Sequence, residues 1–302
     1  MNTEERKALM LSHFGKTSKE MDEDVKLIKE WLKTQPHLPE IPNDHIIASF
    51  IWANRFSLEK TKQRIDLYYT IRSSMPNIYQ FANPKTEFMK RSKESSYLLV
   101  FPKMVDNRYR VTFVKIKDCI PNDFDIIYGW AAQALNIMDV ALRENDNLIL
   151  GIIVLVDQQN FKMEHLLRLT PTIIRDALVI VENLLNSKIK EFHLFNSPPF
   201  VDLLLKLCKQ FLKPKLYERI RLHKSTDTLL DYIPAEVLPS DYGGKEKSVD
   251  ELHEDWNAKL KEYQEMFDQR DVLKVNESLR PTPLEDTETY GVQGTFKNLC
   301  FD

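Results

Sequence analysis

The side chains best placed for acid–base chemistry are His165, His193 and His223 and the carboxylate of Asp157. Asp157 closes an apolar run from Leu148 to Val156, and the C-terminal end of a buried strand is where many α/β enzymes put a catalytic group. A turn or cap role serves the same residue equally well. Each histidine lies beside an apolar segment, where a hydrogen-bonded core or surface histidine is the simpler reading. The patterns that would recruit these groups are missing: no Gly-x-Ser-x-Gly, no glycine-rich phosphate loop and no His-Glu-x-x-His. Seven glycines in 302 residues leave little backbone for a phosphate cradle, and Gly243-Gly244-Lys245 lacks the Walker spacing. Cys119, Cys208 and Cys300 form no metal pattern and no disulfide framework. No catalytic residue, metal or cofactor is expected.

The other chemistry is that of a charged collar on an apolar body. From Lys188 to Lys224 there are nine Lys/Arg against three Asp/Glu, a local charge of about +6 in a chain of net −3. Inside this stretch runs Phe200 to Leu212, where Val201, Leu204, Cys208 and Leu212 share a helical face and Leu203, Leu207 and Phe211 widen it. Such a helix suits a doubly covered core position, or a lid that exchanges a cavity for another apolar surface. A basic collar suits an anionic membrane at about 1 kcal/mol per well-placed residue, although lysines on a solvated face look the same. Nucleic acid is disfavoured by the acidic total and the lack of a basic stripe interleaved with aromatics.

These residues need a frame. Phe192 to Phe195 and Ile220 to His223 read as strands on either side of the apolar helix, a parallel crossover unit. Ser96 to Phe101 and Tyr109 to Val114 read as strands around an Asp106-Asn107 turn. The β-branched run Ile149 to Val156 predicts a strand covered on both faces. Phe124 to Leu142 predicts a helix with Ile127, Trp130 and Ala134 on one stripe, and Pro171 starts a second helix reaching Ser187. Before residue 75 the pattern is helical: a helix at Val25 to Leu32, a stop at Pro36, Pro39 and Pro42, and a new start capped by Asn43 or Asp44. Val249, Leu252, Trp256, Leu260, Tyr263 and Phe267 predict one further amphipathic helix packed on the body. Beyond Lys274 periodicity is lost, and the last 25 or so residues read as an extended tail. Residues 246–302 carry fourteen Asp/Glu and seven Lys/Arg.

Composition, 43% apolar and 29% charged, is that of an ordinary soluble chain large enough for a real core. The longest apolar run has nine residues, far short of a span. The opening Met1-Asn2-Thr3-Glu4-Glu5-Arg6 carries no signal core and no myristoylation glycine. A monomer in the reducing cytosol, touching membranes only peripherally, is expected.

Three motifs identify a family. Lys188-Ile189-Lys190-Glu191-Phe192-His193-Leu194-Phe195-Asn196-Ser197-Pro198, then Phe211-Leu212-Lys213-Pro214-Lys215-Leu216-Tyr217-Glu218-Arg219-Ile220-Arg221-Leu222-His223, resemble the gate region of the CRAL-TRIO lipid-binding family. Ile233-Pro234-Ala235-Glu236-Val237-Leu238-Pro239-Ser240-Asp241-Tyr242-Gly243-Gly244 is similar to its closing motif. The likeness runs from about Asp22 to Phe267 and is nearest the branch that carries tocopherol and retinaldehyde. It implies an α/β fold: an all-helical N-terminal domain (1–75), then a CRAL-TRIO domain (76–245) with a mostly parallel sheet, helices on one side and a mobile helical lid. A C-terminal helix and acidic tail (246–302) follow.

The resemblance also implies a function: transfer of a tocopherol-, retinoid- or carotenoid-like ligand between membranes. The alternatives are a phospholipid or phosphoinositide exchanger and a non-transferring protein-interaction module. The expected pocket has a wall of Ile127, Trp130 and Ala134, and Ile152, Val154 and Val156 on one strand face by alternation. Phe161, Leu167, Ile180, Val181 and Leu185 add lining, and Val201, Leu204, Cys208 and Leu212 form the lid face; all are equally suited to a plain core. Trp130 shortens any such cavity. By position Lys188, Lys190, Lys215 and Arg219 match the branch's phosphoinositide-binding residues. An even step places Lys188 and Lys190 on one side, and a four-residue step pairs Lys215 with Arg219. Ser49-Phe50-Ile51-Trp52-Ala53-Asn54 departs from the family's arginine-bearing run, so no basic contribution is expected from that helix.

Overall fold

A computed structural model describes residues 3–74, 76–117, 126–144, 148–170, 173 and 188–281. The chain opens with helices α1 (Thr3–Ser12), α2 (Ser18–Lys33), α3 (Asp44–Ala53), α4 (Leu58–Ser74), α5 (Pro76–Tyr79) and α6 (Glu87–Ser95). α2 begins at a reciprocal capping box of Thr17 and Glu20 and buries Met21, Val25, Ile28 and Leu32, a stripe at three- and four-residue steps. α3 is capped by Asn43, whose Oδ1 accepts the Ile46 N–H at 3.0 Å. After α3 the backbone of Arg55 and Phe56 turns left-handed, with φ of 54° and 61°, and reverses the chain into α4.

The sheet follows: β1 (Ser96–Val100), β2 (Tyr109–Ile116), β3 (Gly151–Asp157), β4 (Ile189–Phe195) and β5 (Ile220–Leu222), in the order β1-β2-β3-β4-β5. β1 and β2 are antiparallel; every other pair is parallel. Asp106 and Asn107, both at φ 54°, make the turn that the sequence places there. Between strands lie α7 (Ile126–Ala141), α8 (Met163–Leu167), α9 (Val201–Phe211) and α10 (Pro214–Tyr217); α11 (Val249–Glu262) and α12 (Gln264–Val272) close the described chain.

Register assigns the faces. Arg110, Thr112 and Val114 lie opposite Ile152, Val154 and Val156, and the last two oppose Phe192 and Leu194. These share the face under α7 and α9. The other face carries Val111, Phe113, Ile153, Leu155 and Phe195, which share a buried cluster with Leu229, Ile233 and Leu238. The C-terminal amphipathic stretch breaks at Tyr263 into α11 and α12, and α11 packs along β1.

α7 is the hinge of the packing. Ala131, Leu135 and Met138 face the N-terminal helices, while Ile137 and Val140 face the sheet. Its Asp139, fully buried, joins three helices: Tyr68 of α4 donates to it at 2.5 Å, Arg72 lies at 3.3 Å and Arg270 of α12 at 2.9 Å. Burial opposes the charge, but the Arg72 and Arg270 guanidiniums prevail and hold the carboxyl below its ordinary value. Trp52 Nε1 donates to the Ile149 carbonyl at 2.7 Å and ties α3 to the start of β3.

One further expectation changes. Lys274 to Pro281 is not part of a free tail. Arg280 pairs with Asp66 at 2.7 Å and Asn276 N–H donates to the His37 carbonyl at 2.9 Å, so this segment docks on the N-terminal helices through polar contacts that leave no apolar period. After β3 the Asn160 side-chain amide donates to the Ile116 carbonyl at 2.9 Å and holds the turn to β2. The helix expected from Pro171 to Ser187 lies, apart from Ile173, outside the described residues.

Candidate functional site

An apolar cavity of about 290 Å³ sits at the C-terminal ends of β2, β3 and β4. Val114, Val156, Phe192 and Leu194 form its floor, with Ile116 and Ile220 at the edges. Ile127 and Trp130 of α7 close one side, and Phe161 and Leu169 another. α9 roofs it with Leu204, Leu205, Cys208 and Leu212. Cys208 is the roof's one sulfur, and burial pushes its thiol above the ordinary value, so it acts as a small apolar side chain rather than a nucleophile. The outer side of α9 is polar, with Asp202, Lys206, Lys209 and Gln210 exposed, but Leu203 stands among them 53% exposed. Leu167 on α8, 78% exposed, also faces solvent beside this rim.

Seven expected lining residues are thus brought together: Ile127, Trp130, Val156, Phe161, Leu204, Cys208 and Leu212. The others are not. Ala134 packs toward the N-terminal core, one turn further along α7 than Trp130. Leu167 points outward and Leu169 takes its place. Val201 is buried at the start of α9 without lining the cavity, and Leu205 does so instead. Val154 lies on the correct face between cavities, and Ile152 lines a different one, described below. Ile180, Val181 and Leu185 fall outside the described residues. The floor residues Val114, Phe192 and Leu194 were missed. Alternation along each strand marks them, but only the parallel register tells which face they join.

The polar groups at the cavity mouth are engaged within the protein. Asp157, buried, accepts from Asn196 at 2.9 Å, from Gln159 N–H at 3.0 Å and from Tyr242 at 2.7 Å, and pairs with Lys115 at 3.0 Å. It locks the ends of β2, β3 and β4 to the closing motif, the turn role that the sequence allows. That motif needs its glycine: a Cβ on Gly244 would stand 1.7 Å from the Leu238 carbonyl oxygen. On the opposite face His193 Nδ1 meets His223 Nε2 at 2.8 Å, and His223 Nδ1 meets Thr228 at 2.7 Å. His193 is fully buried. Desolvation first, then His223, push its pKa down to about 4 against the pull of Glu191, so the pair is neutral and structural.

The basic collar is rearranged. Lys188 and Lys215 are exposed and Arg219 is half-buried. Desolvation, then Arg55, Arg219 and Lys215, lower the Lys188 pKa, which places all four cations within electrostatic reach. Arg219 Nη1 also donates to the Ile189 carbonyl at 2.5 Å, bracing β4. Lys190 departs from the expected side. Ile189 pairs with Ile152 and Glu191 with Ile153, so a bulge skips Lys190, and its ammonium lies 4.0 Å over the Tyr109 ring. The N-terminal helices do contribute a cation, Arg55, exposed at the left-handed turn after α3. The departure at Ser49 to Asn54 hid it, because the turn and not the helix presents the charge.

Comparison with known proteins follows this division of the chain. Residues 94–244 match the family model for the CRAL/TRIO domain, and residues 17–89 match that of a Pinta-like UBA domain. An alpha-tocopherol transfer protein-like protein of Mus musculus is 25% identical over 265 residues, covering 87% of this chain and 74% of the relative. Clavesin-1 of Xenopus laevis is 26% identical over 235 residues, covering 74% and 68%. Among solved structures, the crystal structure of Sfh5 shares the fold at a TM-score of 0.51 and 12% identity, over 82% of this chain and 96% of that one.

Proposed function

This chain belongs to the CRAL/TRIO family, and on that premise we propose that it carries a small hydrophobic molecule between membranes, with the cavity under α9 as its cargo site and α9 as the lid. The observation that carries the reading is the cavity itself: aliphatic and aromatic on floor, walls and roof, with the polar groups of Asp157 at its mouth already bonded within the protein. Burying about 500 Å² of cargo contributes on the order of 12 kcal/mol gross, from which association and ordering subtract a large share. Its volume is near the low end of small-molecule sites, roughly 300–1,000 Å³. A single lipophile of the tocopherol, retinoid or carotenoid kind is the cargo, in keeping with the name of the tocopherol transfer protein-like relative. Arg55, Lys188, Lys215 and Arg219 form the surface that meets anionic headgroups, phosphoinositides included, and the exposed Leu203 adds an apolar contact beside the lid. Among the described residues no helix is long and apolar enough to cross a membrane; the protein works as a monomer in the cytoplasm with peripheral membrane contact. Organic extraction of the purified protein followed by mass spectrometry tests this. One equivalent of a neutral lipophile supports it; stoichiometric phospholipid, or a protein that takes up no lipophile from vesicles, overturns it.

A further inference from the structure

A second cavity, of about 340 Å³, opens at the other end of the same sheet face. Its floor is Arg110, Thr112 and Ile152, α7 bounds it through Ile137 and Ala141, and Trp256 of α11 reaches it. Register relates it to the lid cavity: Arg110 opposite Ile152 belongs to one end, Val114 opposite Val156 to the other, and half-buried Thr112 and Val154 lie between. Four residues along a strand span about 13 Å. The wall gives a similar measure, since Trp130 and Ile137 are seven residues apart on α7, about 10 Å. One floor and one wall thus run from the first cavity to the second.

We infer that the two cavities are the ends of one elongated site, which takes a long neutral amphiphile with its hydroxyl or carbonyl end beside Arg110 and Thr112 and its hydrocarbon end under α9. The inference rests on the cargo reading above and extends it to the chemistry and orientation of the cargo. The polar end goes inward because the two ends differ. The lid cavity offers mostly aliphatic and aromatic surface, its Lys115, Asp157 and Gln158 being bonded within the protein, whereas the far cavity has the Arg110 guanidinium and the Thr112 hydroxyl on its floor. The polar end is neutral because of the rim. Glu144, Asp255 and Glu262 face the far cavity against Arg110 and Lys259, and Lys259 pairs with Glu144. A carboxylate entering there meets more negative charge than positive, while an alcohol oxygen accepts from Arg110 or Thr112 without that opposition.

Each cavity contains one tryptophan, Trp130 or Trp256, which makes the idea measurable. The probes are stearyl alcohol brominated next to the hydroxyl and stearyl alcohol brominated at the terminal methyl, added to the full-length protein. Trp130→Phe leaves Trp256 as reporter and Trp256→Phe leaves Trp130; the double variant gives the Trp31 and Trp52 background. At one bound equivalent the hydroxyl-end bromine quenches Trp256 and the methyl-end bromine quenches Trp130. Stearic acid competes more weakly than the alcohol. Thr112→Val and Arg110→Met each weaken the alcohol about tenfold, the worth of a hydrogen bond, with unchanged melting of Thr112→Val as the control for folding. Quenching of Trp130 by both probes without Trp256, reversal of the two, a second equivalent, or preference for stearic acid overturns the inference and leaves the cargo reading intact. Quenching of neither tryptophan overturns the cargo reading itself.

Discussion

Replacing Arg55, Lys188 and Lys215 together by Gln isolates the cations that face solvent. All three are exposed, and Arg55 and Lys215 lie within electrostatic reach of Lys188, while Arg219 braces β4 and Lys190 is held over Tyr109. A basic side chain near an anionic leaflet contributes about 1 kcal/mol, so the triple variant loses about 3 kcal/mol, or roughly 150-fold in partitioning. Co-sedimentation with vesicles containing phosphatidylserine and a phosphoinositide reads this directly, and phosphatidylcholine vesicles serve as the neutral control. Salt should act on the parent as the substitutions do, since exposed charges are screened over about 8 Å at physiological ionic strength. Thermal melting should be unchanged, because exposed side chains with little local packing are being replaced. The reasoning is refuted if the triple variant partitions onto anionic vesicles like the parent at low salt. It is also refuted in part if Arg55→Gln alone is silent while Lys188→Gln and Lys215→Gln each weaken binding, for then the N-terminal turn does not share the surface. Arg219→Gln behaves differently: it costs about 2 kcal/mol of stability through the lost charged hydrogen bond to the Ile189 carbonyl.

Cys208→Trp fills the space under α9 and abolishes uptake of a fluorescent lipophile at a stability cost of about 1–3 kcal/mol, whereas Ala134→Trp, facing the N-terminal core, destabilises without blocking uptake. Stability depends on His193: its folded pKa of about 4 lies below the unfolded 6.5, so the unfolded chain binds the proton first. Its contribution is complete above pH 6.5 and is lost as pH falls toward 4, at most about 3 kcal/mol at about 1.36 per unit, and His193→Phe flattens that slope in urea titrations. Asp139→Asn strips the charge from between Arg72 and Arg270 and costs about 3–5 kcal/mol, read as a fall in the urea midpoint.

The fold was legible because its signals are local. The Asp106-Asn107 turn, the Asn43 cap, the β-branched run ending at Asp157 and the apolar helix at Val201 each declare themselves within a few residues. The site was half legible. Residues on the lid face and on the exposed stripe of α7 follow from helical spacing, so Leu204, Cys208 and Leu212 were found. Val114 and Phe192 depend on strand register, which no single strand encodes. The bulge that skips Lys190 defeats counting by twos, and Arg55 reaches Lys188 only through tertiary contact. The docking of Arg280 on Asp66 is a pair separated by more than two hundred residues and leaves no mark on the local pattern.

The hydrogen bond from Trp52 to the Ile149 carbonyl has a mechanical consequence. Three residues after Trp52 stands Arg55, and two residues after Ile149 begins the strand that floors the cavity. On the function proposed above, the cation offered to a headgroup and the floor offered to the cargo are therefore bolted to one stator, doubly so because Asp139 fixes α4 and α12 to α7. On that reading a membrane that holds this stator leaves α9 as the moving part. Unloading then resembles lifting a hatch from an anchored hull, and a cross-link between α3 and the segment before β3 should leave it unimpaired.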